Sequence, residues 1–401
     1  MISQINNGSI TDVKGFKANG VHCGLKKQKE DLALITTDAP ANAAGTFTLN
    51  KVKAAPLLIS KKIINEGHKI KAVLVNSGNA NACTGEKGYN DALGIQSYCA
   101  GKLSMEPDEV LVSSTGVIGE YINTDAVKNG VDKLAVSLKD DGGINAAKAI
   151  MTTDLQKKHF AYKVELPGGE ITIGAICKGS GMIMPNMATM LAFIGTDAEI
   201  DQHLLQKSLS SAVNNSFNKI SVDGETSTND MVVLLANGTS GLKIEADTKN
   251  EIIFSSALEI ICKDMAKSIA ADGEGATKLI TINVNNAESE QDADKIARAL
   301  ANSPLVKTAM YGEDANWGRI ISSAGGSGAN FNPDKVEIYL DDQPVLLSGY
   351  RVVIDEEQVK QVLKKKEISI NLYVNEGSKS TTWWTCDYSE NYIKINATYR
   401  S

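Results

Sequence analysis

One threonine of this 401-residue chain occupies a position with unusual chemical possibilities. In the segment KGSGMIMPNMATMLAFIGTDA, residues 178–198, Thr189 opens a short apolar run where a strand would ordinarily carry Ile or Val. A threonine hydroxyl is a poor nucleophile without a base, and no histidine is close to it in the sequence. If the bond between Ala188 and Thr189 is broken, Thr189 gains an α-amine that can act as its base. The ordinary pKa of such an amine, about 7.7–8.0, suits this role at neutral pH.

The hydroxyl of Thr189 can also start this cleavage, by attacking the carbonyl carbon of Ala188 in an N-to-O acyl shift. The small side chain of Ala188 leaves that carbonyl approachable, and Gly179 and Gly181 permit a strained loop before it. The branched side chain of Thr189 has few rotamers, which helps to hold its oxygen in line. The competing interpretation is a core strand entered through a Pro-Asn turn, with Thr189 bonded to the backbone. The spacing of the segment alone favours this competing interpretation.

Sequence patterns of other catalytic chemistries are missing. No G-x-S-x-G elbow is present, although KGSGM comes nearest, and no cysteine carries a catalytic signature. The segment SSAGGSGANF, residues 322–331, lacks the phosphate-loop pattern and is interpreted as a flexible turn. The six cysteines have no C-x-x-C spacing, and the four histidines form no H-E-x-x-H pattern. We therefore expect neither a bound metal nor a resident cofactor.

Composition narrows the class of protein further. Hydrophobic residues make up 42% and charged residues 22%, values typical of globular proteins. The net charge of −7 argues against a nucleic-acid partner, since phosphate binding needs a concentrated basic face. No run of about 18 apolar residues indicates a membrane-spanning helix. The start of the chain lacks a secretory signal pattern and the scattered cysteines suit reduced thiols, so we expect a cytoplasmic protein.

The elements that must position these residues alternate between short β-like runs and amphipathic helices. KAVLVNSGNANACTG, residues 71–85, predicts a buried strand with a polar end, and EVLVSSTGVIGE, residues 109–120, repeats this design. YKVELPGGEITIGAI, residues 162–176, predicts a hairpin that turns at its Pro-Gly-Gly sequence. SALEIICKDMAKSIAADGEG, residues 256–275, has helical spacing and ends at glycines.

A further unit is predicted over residues 279–345. LITINVN, residues 279–285, and KVEIYL, residues 335–340, predict strands, and SEQDADKIARALANSPLVKTAM, residues 289–310, predicts a helix between them. Alternating elements with this spacing indicate the α/β class. The periodicity does not choose between a layered sandwich and a mixed sheet.

Eight sequence blocks together resemble the ornithine acetyltransferase family, also called the glutamate N-acetyltransferase family of arginine biosynthesis. In chain order they are NSGNANACTG, SSTGVIGE, AIMTTD, KGSGMIMPNMAT, SVDGETSTNDM, AADGEGATKL, YGEDANWGRI and INATYRS. The blocks span essentially the full chain, and eight in register are much more specific than any single one. The segment around Thr189 is similar to the self-cleavage motif of this family.

The resemblance implies three catalytic residues and the position of the cleaved bond. Thr189 matches the N-terminal nucleophile that takes the acetyl group as an ester, and the cleaved bond is the one between Ala188 and Thr189. Thr115 and Gly116 match the pair that forms the oxyanion hole, and their place after an apolar strand suits donors on a rigid element. Without the resemblance, SSTG would be interpreted as a turn that ends a strand.

The resemblance also implies a set of substrate-binding residues: Thr152, Thr153, Lys178, Thr189, Glu274, Asn396 and Ser401. One of the two adjacent threonines is expected to contact the substrate, and the pattern does not say which. Lys178 suits a substrate carboxylate, and Glu274 suits the ammonium group of ornithine. Alone, the threonines would cap a helix, Lys178 and Glu274 would be turn residues, and the tail would fray. Family chains commonly end in Thr, whereas Ser401 keeps the hydroxyl and the terminal carboxylate.

The family implies an architecture and a reaction as well. Its members are four-layer α/β/β/α sandwiches of the N-terminal-nucleophile kind with a smaller appended α/β domain. Cleavage would give chains 1–188 and 189–401, which stay intertwined and assemble as an α2β2 tetramer. The implied reaction moves the acetyl group from N-acetylornithine to glutamate, with acetyl-CoA as a further donor in bifunctional members. The sequence leaves open an N-terminal-nucleophile aminopeptidase or amidase, and a non-catalytic amino-acid-binding protein.

Overall fold

The computed structural model describes residues 1–184 and 190–398. Its strands are β1 Ile2–Gln4, β2 Phe16–Val21, β3 Leu32–Phe47, β4 Ile70–Asn79, β5 Val110–Val117, β6 Lys158–Leu166, β7 Gly169–Lys178, β8 Leu191–Thr196, β9 Glu199–Ile200, β10 Ile220–Ser221, β11 Met231–Ala236, β12 Lys243–Ile244, β13 Leu279–Ala287, β14 Glu337–Leu340, β15 Gln343–Leu347, β16 Arg351–Val352, β17 Glu367–Tyr373 and β18 Lys379–Cys386. Its helices are α1 Ala55–Asn65, α2 Gly85–Leu103, α3 Thr124–Ala135, α4 Gly143–Ile150, α5 Gln202–Asn214, α6 Lys249–Ala271, α7 Glu290–Asn302, α8 Pro304–Tyr311, α9 Trp317–Gly325, α10 Glu356–Leu363 and α11 Glu390–Thr398.

The long strand β3 joins two parts of the larger sheet. Its first half pairs with β2 and β4, and its second half pairs with β11. The register of the β3–β4 ladder shifts between Thr36 and Ala41, an irregularity that bends a strand and changes its partner. The strand order is β1-β6-β7-β8-β11-β3-β4-β5, with β2 beside β3.

Helices cover both outer faces of this folded sheet. Leu191 and Phe193 of β8 belong to one hydrophobic core, whereas Ala192 and Ile194 belong to a second core. Because successive side chains of a strand point to opposite faces, this part of the sheet is buried on both sides. Helices α5 and α6 pack on one outer face, and α1, α2 and α3 pack on the other. The predicted four-layer α/β/β/α arrangement is confirmed.

A second sheet forms the smaller unit. Its strand order is β10-β18-β13-β17-β14-β15-β16, and it has a hydrophobic core of its own that extends from Ile280 to Trp383. The strands predicted over 279–285 and 335–340 are present as β13 and β14. Strands β17 and β18 follow residue 345 and lie in the same sheet, so this unit continues past the predicted end.

The prediction of one helix over residues 289–310 was wrong. The chain forms α7 and α8 instead, with a break at Ser303. Pro304 has no backbone N–H to donate and its ring clashes with the preceding turn, so it ends one helix and suits the first position of the next. The Ser303 hydroxyl then accepts from the backbone N–H of Val306 at 3.3 Å and caps α8.

Two other local predictions have clear outcomes. The hairpin over 162–176 is confirmed, because β6 and β7 pair without a break from Lys158 opposite Cys177 to Leu166 opposite Gly169. The helix predicted from residue 256 begins earlier, at Lys249, because the Thr248 hydroxyl accepts from the N–H of Glu251 and caps it there.

Candidate active site

Seven of the residues predicted for the site line one cavity of about 620 Å³, a volume that includes its opening to solvent. They are Thr115, Gly116, Thr152, Thr153, Lys178, Glu274 and Asn396. These residues come from β5, the connection from α4 to β6, the end of β7, the loop after α6, and α11. Both adjacent threonines line the cavity, so the choice between them stays open. The predicted residues Ala188, Thr189 and Ser401 lie outside the described part of the chain.

The backbone at Gly116 requires glycine. Strands β4 and β5 run parallel and bring Gly78 opposite Gly116 at their ends. Gly116 has a φ of 132°, and a Cβ built on it would lie 2.4 Å from the carbonyl carbon of Gly78. A side chain here would be strained and would push the two strand ends apart. The predicted oxyanion pair therefore lies on a tightly constrained backbone.

Asn229 holds the predicted oxyanion pair in place. Its amide nitrogen donates to the carbonyl oxygens of Ala80 and Ser114, at 2.7 Å each. Ser114 directly precedes Thr115, so these bonds fix the ends of β4 and β5 against the segment before β11. Asn229 belongs to the sequence block SVDGETSTNDM, but the sequence alone did not indicate a role for this residue. A polar pair, Asn-Asp, directly before an apolar strand was the available signal.

Lys178 is buried, contrary to its interpretation in isolation as a solvated turn residue. Its side chain is 2% exposed, and its Nζ lies 3.4 Å from the hydroxyl oxygen of Thr115. Burial lowers the pKa of Lys178, and the nearby carboxylate of Asp154 partly offsets this effect. The cation thus lies beside the predicted oxyanion pair.

A buried ion-pair cluster ties together three loops of the cavity. Lys158 contacts Asp154 at 2.8 Å and Asp272 at 2.5 Å, and all three side chains are buried. Asp154 accepts from the backbone N–H groups of Thr152 and Gly179 at 3.0 and 2.7 Å. Against the effect of burial, the cations Lys178 and Lys158 keep the pKa of Asp154 well below its usual range. Sequence reasoning missed this cluster.

The same cluster reaches the loop that carries Glu274. The backbone oxygen of Asp272 accepts from the Ser180 hydroxyl at 2.7 Å, and the N–H of Glu274 donates to the Ser180 carbonyl at 3.0 Å. The Glu274 carboxylate accepts from the Asn396 amide at 2.9 Å. A Cβ at Gly181 would lie 2.4 Å from the Glu274 carboxyl carbon, so any larger residue there would force that carboxylate to move.

Asp223 supports the part of the cavity wall that contains Met182. It accepts from the backbone N–H groups of Met182 and Ile183 at 2.6 and 2.8 Å, where Met182 adopts a φ of 59°. Burial raises the pKa of Asp223 to about 6, and the backbone donors oppose this shift. Asp223 was another residue that sequence reasoning did not identify.

Among the described residues, no group of three or more His, Cys, Asp or Glu side chains could hold a metal ion. Within residues 1–184 and 190–398, no helix has the length and apolar character needed to cross a membrane.

Replacing Lys158 with methionine is expected to lower the free energy of unfolding by about 3–5 kcal/mol, because two buried carboxylates would lose their cation. The loops that carry Thr152, Lys178 and Glu274 would loosen, so KM should rise as well. Chemical denaturation and steady-state kinetics check both effects. Lys157→Met removes the same charge from an exposed neighbour and should change neither. A Lys158→Met protein with wild-type stability and KM would contradict this account of the cluster.

Comparisons by sequence cover nearly all of the chain, whereas the structural match covers less than half of it. The model of the ArgJ family matches residues 17–401. The arginine biosynthesis bifunctional protein ArgJ of Bacillus thuringiensis subsp. konkukian is 46% identical over 401 residues, which cover 100% of this chain and 98% of that protein. The protein of the same name from Caldanaerobacter subterraneus subsp. tengcongensis is 47% identical, over 99% of this chain and 100% of that protein. A solved structure of ornithine acetyltransferase complexed with ornithine, from Mycobacterium tuberculosis, is 35% identical with a TM-score of 0.43, and the match covers 46% of this chain and 98% of that chain.

Proposed function

The chain belongs to the ArgJ family, and on that basis we propose that it moves the acetyl group of N-acetylornithine to glutamate. The products are ornithine and N-acetylglutamate, as suits an enzyme of arginine biosynthesis. The observation that carries the proposal is the single cavity lined by all seven predicted site residues that the structure describes. Relatives of nearly equal length are named bifunctional proteins of arginine biosynthesis, which supports the same activity.

The proposed reaction is a double displacement on Thr189. After cleavage from Ala188, the hydroxyl of Thr189 attacks the acetyl carbonyl carbon and its own α-amine accepts the proton. Thr115 and Gly116 stabilise the negative oxygen that develops, which is the role of an oxyanion hole. Ornithine leaves with a proton from the same amine, and the α-amino group of glutamate then takes the acetyl group from the ester.

The charged groups of the cavity fit amino-acid substrates of this kind. Both substrates carry an α-carboxylate, for which the buried cation Lys178 is suited. Ornithine differs by a side-chain ammonium, for which the buried Glu274 is suited. The side-chain amide of Asn396 donates to the Glu274 carboxylate at 2.9 Å and holds it in place. Helix α11 therefore contributes to the proposed binding of the ornithine ammonium.

The acetyl ester must react with glutamate faster than with water. Enclosure of the reacting groups favours transfer, because a closed site limits side reactions such as hydrolysis. A cavity whose polar groups are largely buried meets this requirement better than an open cleft would. The aminopeptidase or amidase alternative would instead need a water molecule as the acceptor.

The proposal includes an assembly and a location. Chains 1–188 and 189–401 would remain together after cleavage and pair as an α2β2 tetramer in the cytoplasm. The continuous sheet supports their association, because β7 of the first segment pairs with β8 of the second. All six cysteines are free thiols, the state that a reducing compartment maintains. No resident cofactor or metal is proposed, and acetyl-CoA is a possible second acetyl donor.

An assay of the purified protein with N-acetylornithine and glutamate tests the proposed function. We expect N-acetylglutamate and ornithine in equal amounts, with little free acetate. Acetate equal to the ornithine released would identify a hydrolase, and the absence of turnover with an uncut chain would identify a binding protein. A parallel reaction with acetyl-CoA and glutamate decides whether the second donor is accepted.

A further inference from the structure

Lys307 is a buried cation that does not itself line the cavity. It lies on α8 in the smaller unit, and its side chain is 0% exposed. Its Nζ donates to the Thr385 hydroxyl at 2.7 Å and lies 3.7 Å from the sulfur of Cys386. The same Nζ lies over the ring of Tyr388, 4.4 Å from its centre. Lysine is rarely buried completely without a compensating partner, so these contacts call for an explanation.

The contact with Tyr388 favours the charged form of Lys307. An ammonium within about 6 Å of the centre of an aromatic ring is attracted by the electrons of the ring face, and more strongly where water is excluded. Burial lowers the pKa of Lys307, while Cys386 and the carboxylate of Asp223 oppose this shift. The backbone joins the two residues as well, because the N–H of Tyr388 donates to the carbonyl oxygen of Lys307 at 3.3 Å. Lys307 therefore holds the Tyr388 ring in place.

The Tyr388 ring in turn stacks on Tyr392, which lies in the first turn of α11. The ring centres are 4.8 Å apart and the ring planes differ by 21°. Tyr392 and Asn396 are four positions apart, so they share one face of the helix. The side-chain amide of Asn396 donates to the carbonyl oxygen of Tyr392 at 3.1 Å and to the carboxylate of Glu274 at 2.9 Å. A continuous series of contacts thus runs from Lys307 to Glu274.

The start of α11 is also fastened to the loop that carries Glu274. The Ser389 hydroxyl donates to the carbonyl oxygen of Gly275 at 2.5 Å. A Cβ on Gly275 would lie 2.4 Å from the nitrogen of Tyr392, so the helix and the loop are in close contact. These contacts hold the helix against the loop. The stacked rings determine which face of the helix turns toward Glu274, and Asn396 lies on that face.

We propose that Lys307 is a positioning residue for the part of the cavity that binds the substrate ammonium, and that it acts through Tyr388 and α11. The inference rests on the proposed function, in which Glu274 binds the side-chain ammonium of N-acetylornithine. Glutamate has no side-chain ammonium, so its binding depends much less on the orientation of Glu274. Lys307 therefore affects one of the two substrates selectively.

The proposed double displacement allows the two substrates to be measured separately. Because the acetyl ester divides the cycle, kcat/KM for N-acetylornithine reports the first half and kcat/KM for glutamate reports the second. We expect Lys307→Met to lower the value for N-acetylornithine by about 10–100-fold, since a misplacement of about 1 Å can cost about 100-fold. The value for glutamate should change little. A folded Lys307→Met protein in which both values fall by the same factor, or neither falls, overturns the proposal.

Lys267→Met is the matched control. The Nζ of Lys267 also lies over an aromatic ring, 5.4 Å from the centre of Trp384, but this lysine is partly exposed and belongs to α6. Its replacement removes the same charge and should leave both values of kcat/KM unchanged. An equal change of both values in Lys307→Met would leave the proposed function standing. A wild-type protein that transfers no acetyl group from N-acetylornithine would instead defeat the proposed function.

Tyr388 provides a second test if Lys307→Met does not fold. Tyr388→Phe keeps the ring that faces Lys307 and Tyr392, so both values of kcat/KM should stay at the wild-type level. Tyr388→Leu removes the ring and should lower the value for N-acetylornithine alone, by about 10-fold or more. Thermal unfolding shows which variants are folded. A folded Tyr388→Leu protein with the wild-type ratio of the two values overturns the proposal.

Discussion

Thr189→Ala is expected to leave the polypeptide as one uncut 42.7 kDa chain that transfers no acetyl groups. The substitution removes the oxygen that we propose attacks in both the cleavage and the transfer reactions, and without cleavage the α-amine proposed as the base would never be released. Loss of a nucleophile of this kind costs on the order of 10⁶-fold in kcat. Gel electrophoresis, intact mass and the acetyl-transfer assay measure the two outcomes on one preparation.

Thr189→Ser is the matched control for this substitution. Serine keeps the hydroxyl and the α-amine and loses one methyl group, so cleavage and transfer should both persist, with less restriction of the side-chain rotamer. The proposed mechanism would be refuted if Thr189→Ala turned over N-acetylornithine at the wild-type rate. An uncut wild-type chain with full activity would refute it equally.

Gly116→Ala has the second largest expected effect, a decrease in kcat of about 10²–10³-fold, as is typical when one oxyanion-hole donor is lost. The backbone of residue 116 has a φ of 132°, and the new Cβ would lie 2.4 Å from the carbonyl carbon of Gly78. To relieve this contact, the end of β5 must move away from β4. The N–H of residue 116 would then leave the position proposed for the developing negative oxygen. KM should change much less than kcat, since the donor acts mainly on the transition state.

Gly119→Ala controls for the backbone strain in this comparison. Gly119 also has a positive φ, 82°, but a Cβ there would meet no other atom within 4 Å. The Gly119→Ala variant should therefore retain most of the activity, although it loses about as much backbone freedom as Gly116→Ala does. Thermal unfolding of both variants shows whether any loss of activity reflects loss of fold. If Gly116→Ala kept wild-type kcat in a folded protein, Gly116 would not belong to an oxyanion hole.

The local elements were predictable where neighbouring residues determine them. The turn at Pro167-Gly168-Gly169 and the flanking alternation predicted β6 and β7, because turn geometry and side-chain period are properties of a few adjacent residues. The same local reasoning failed at Ser303, where apolar spacing continues through a proline that the backbone cannot accommodate within one helix. The apolar spacing predicted one helix, but the missing N–H and the ring of Pro304 divide the segment into two helices.

Some residues around the cavity could likewise be identified from the sequence, and others could not. Thr115, Lys178 and Glu274 could be named from sequence blocks, but Lys158, Asp223 and Asn229 could not be assigned a role. Their roles come from contacts between residues far apart in the chain, such as the 2.5 Å ion pair of Lys158 with Asp272. No local spacing encodes a pairing over more than one hundred positions.

By itself, the sequence determined which chemistry is available: a threonine able to carry its own base, and eight blocks that resemble one enzyme family. The tertiary structure decided where the described charges lie, and it placed Lys178 in the interior beside Thr115 rather than in water. The physical reason is that burial and long-range pairing depend on how the sheets and helices pack, whereas the chemical capacity of a side chain belongs to the residue itself.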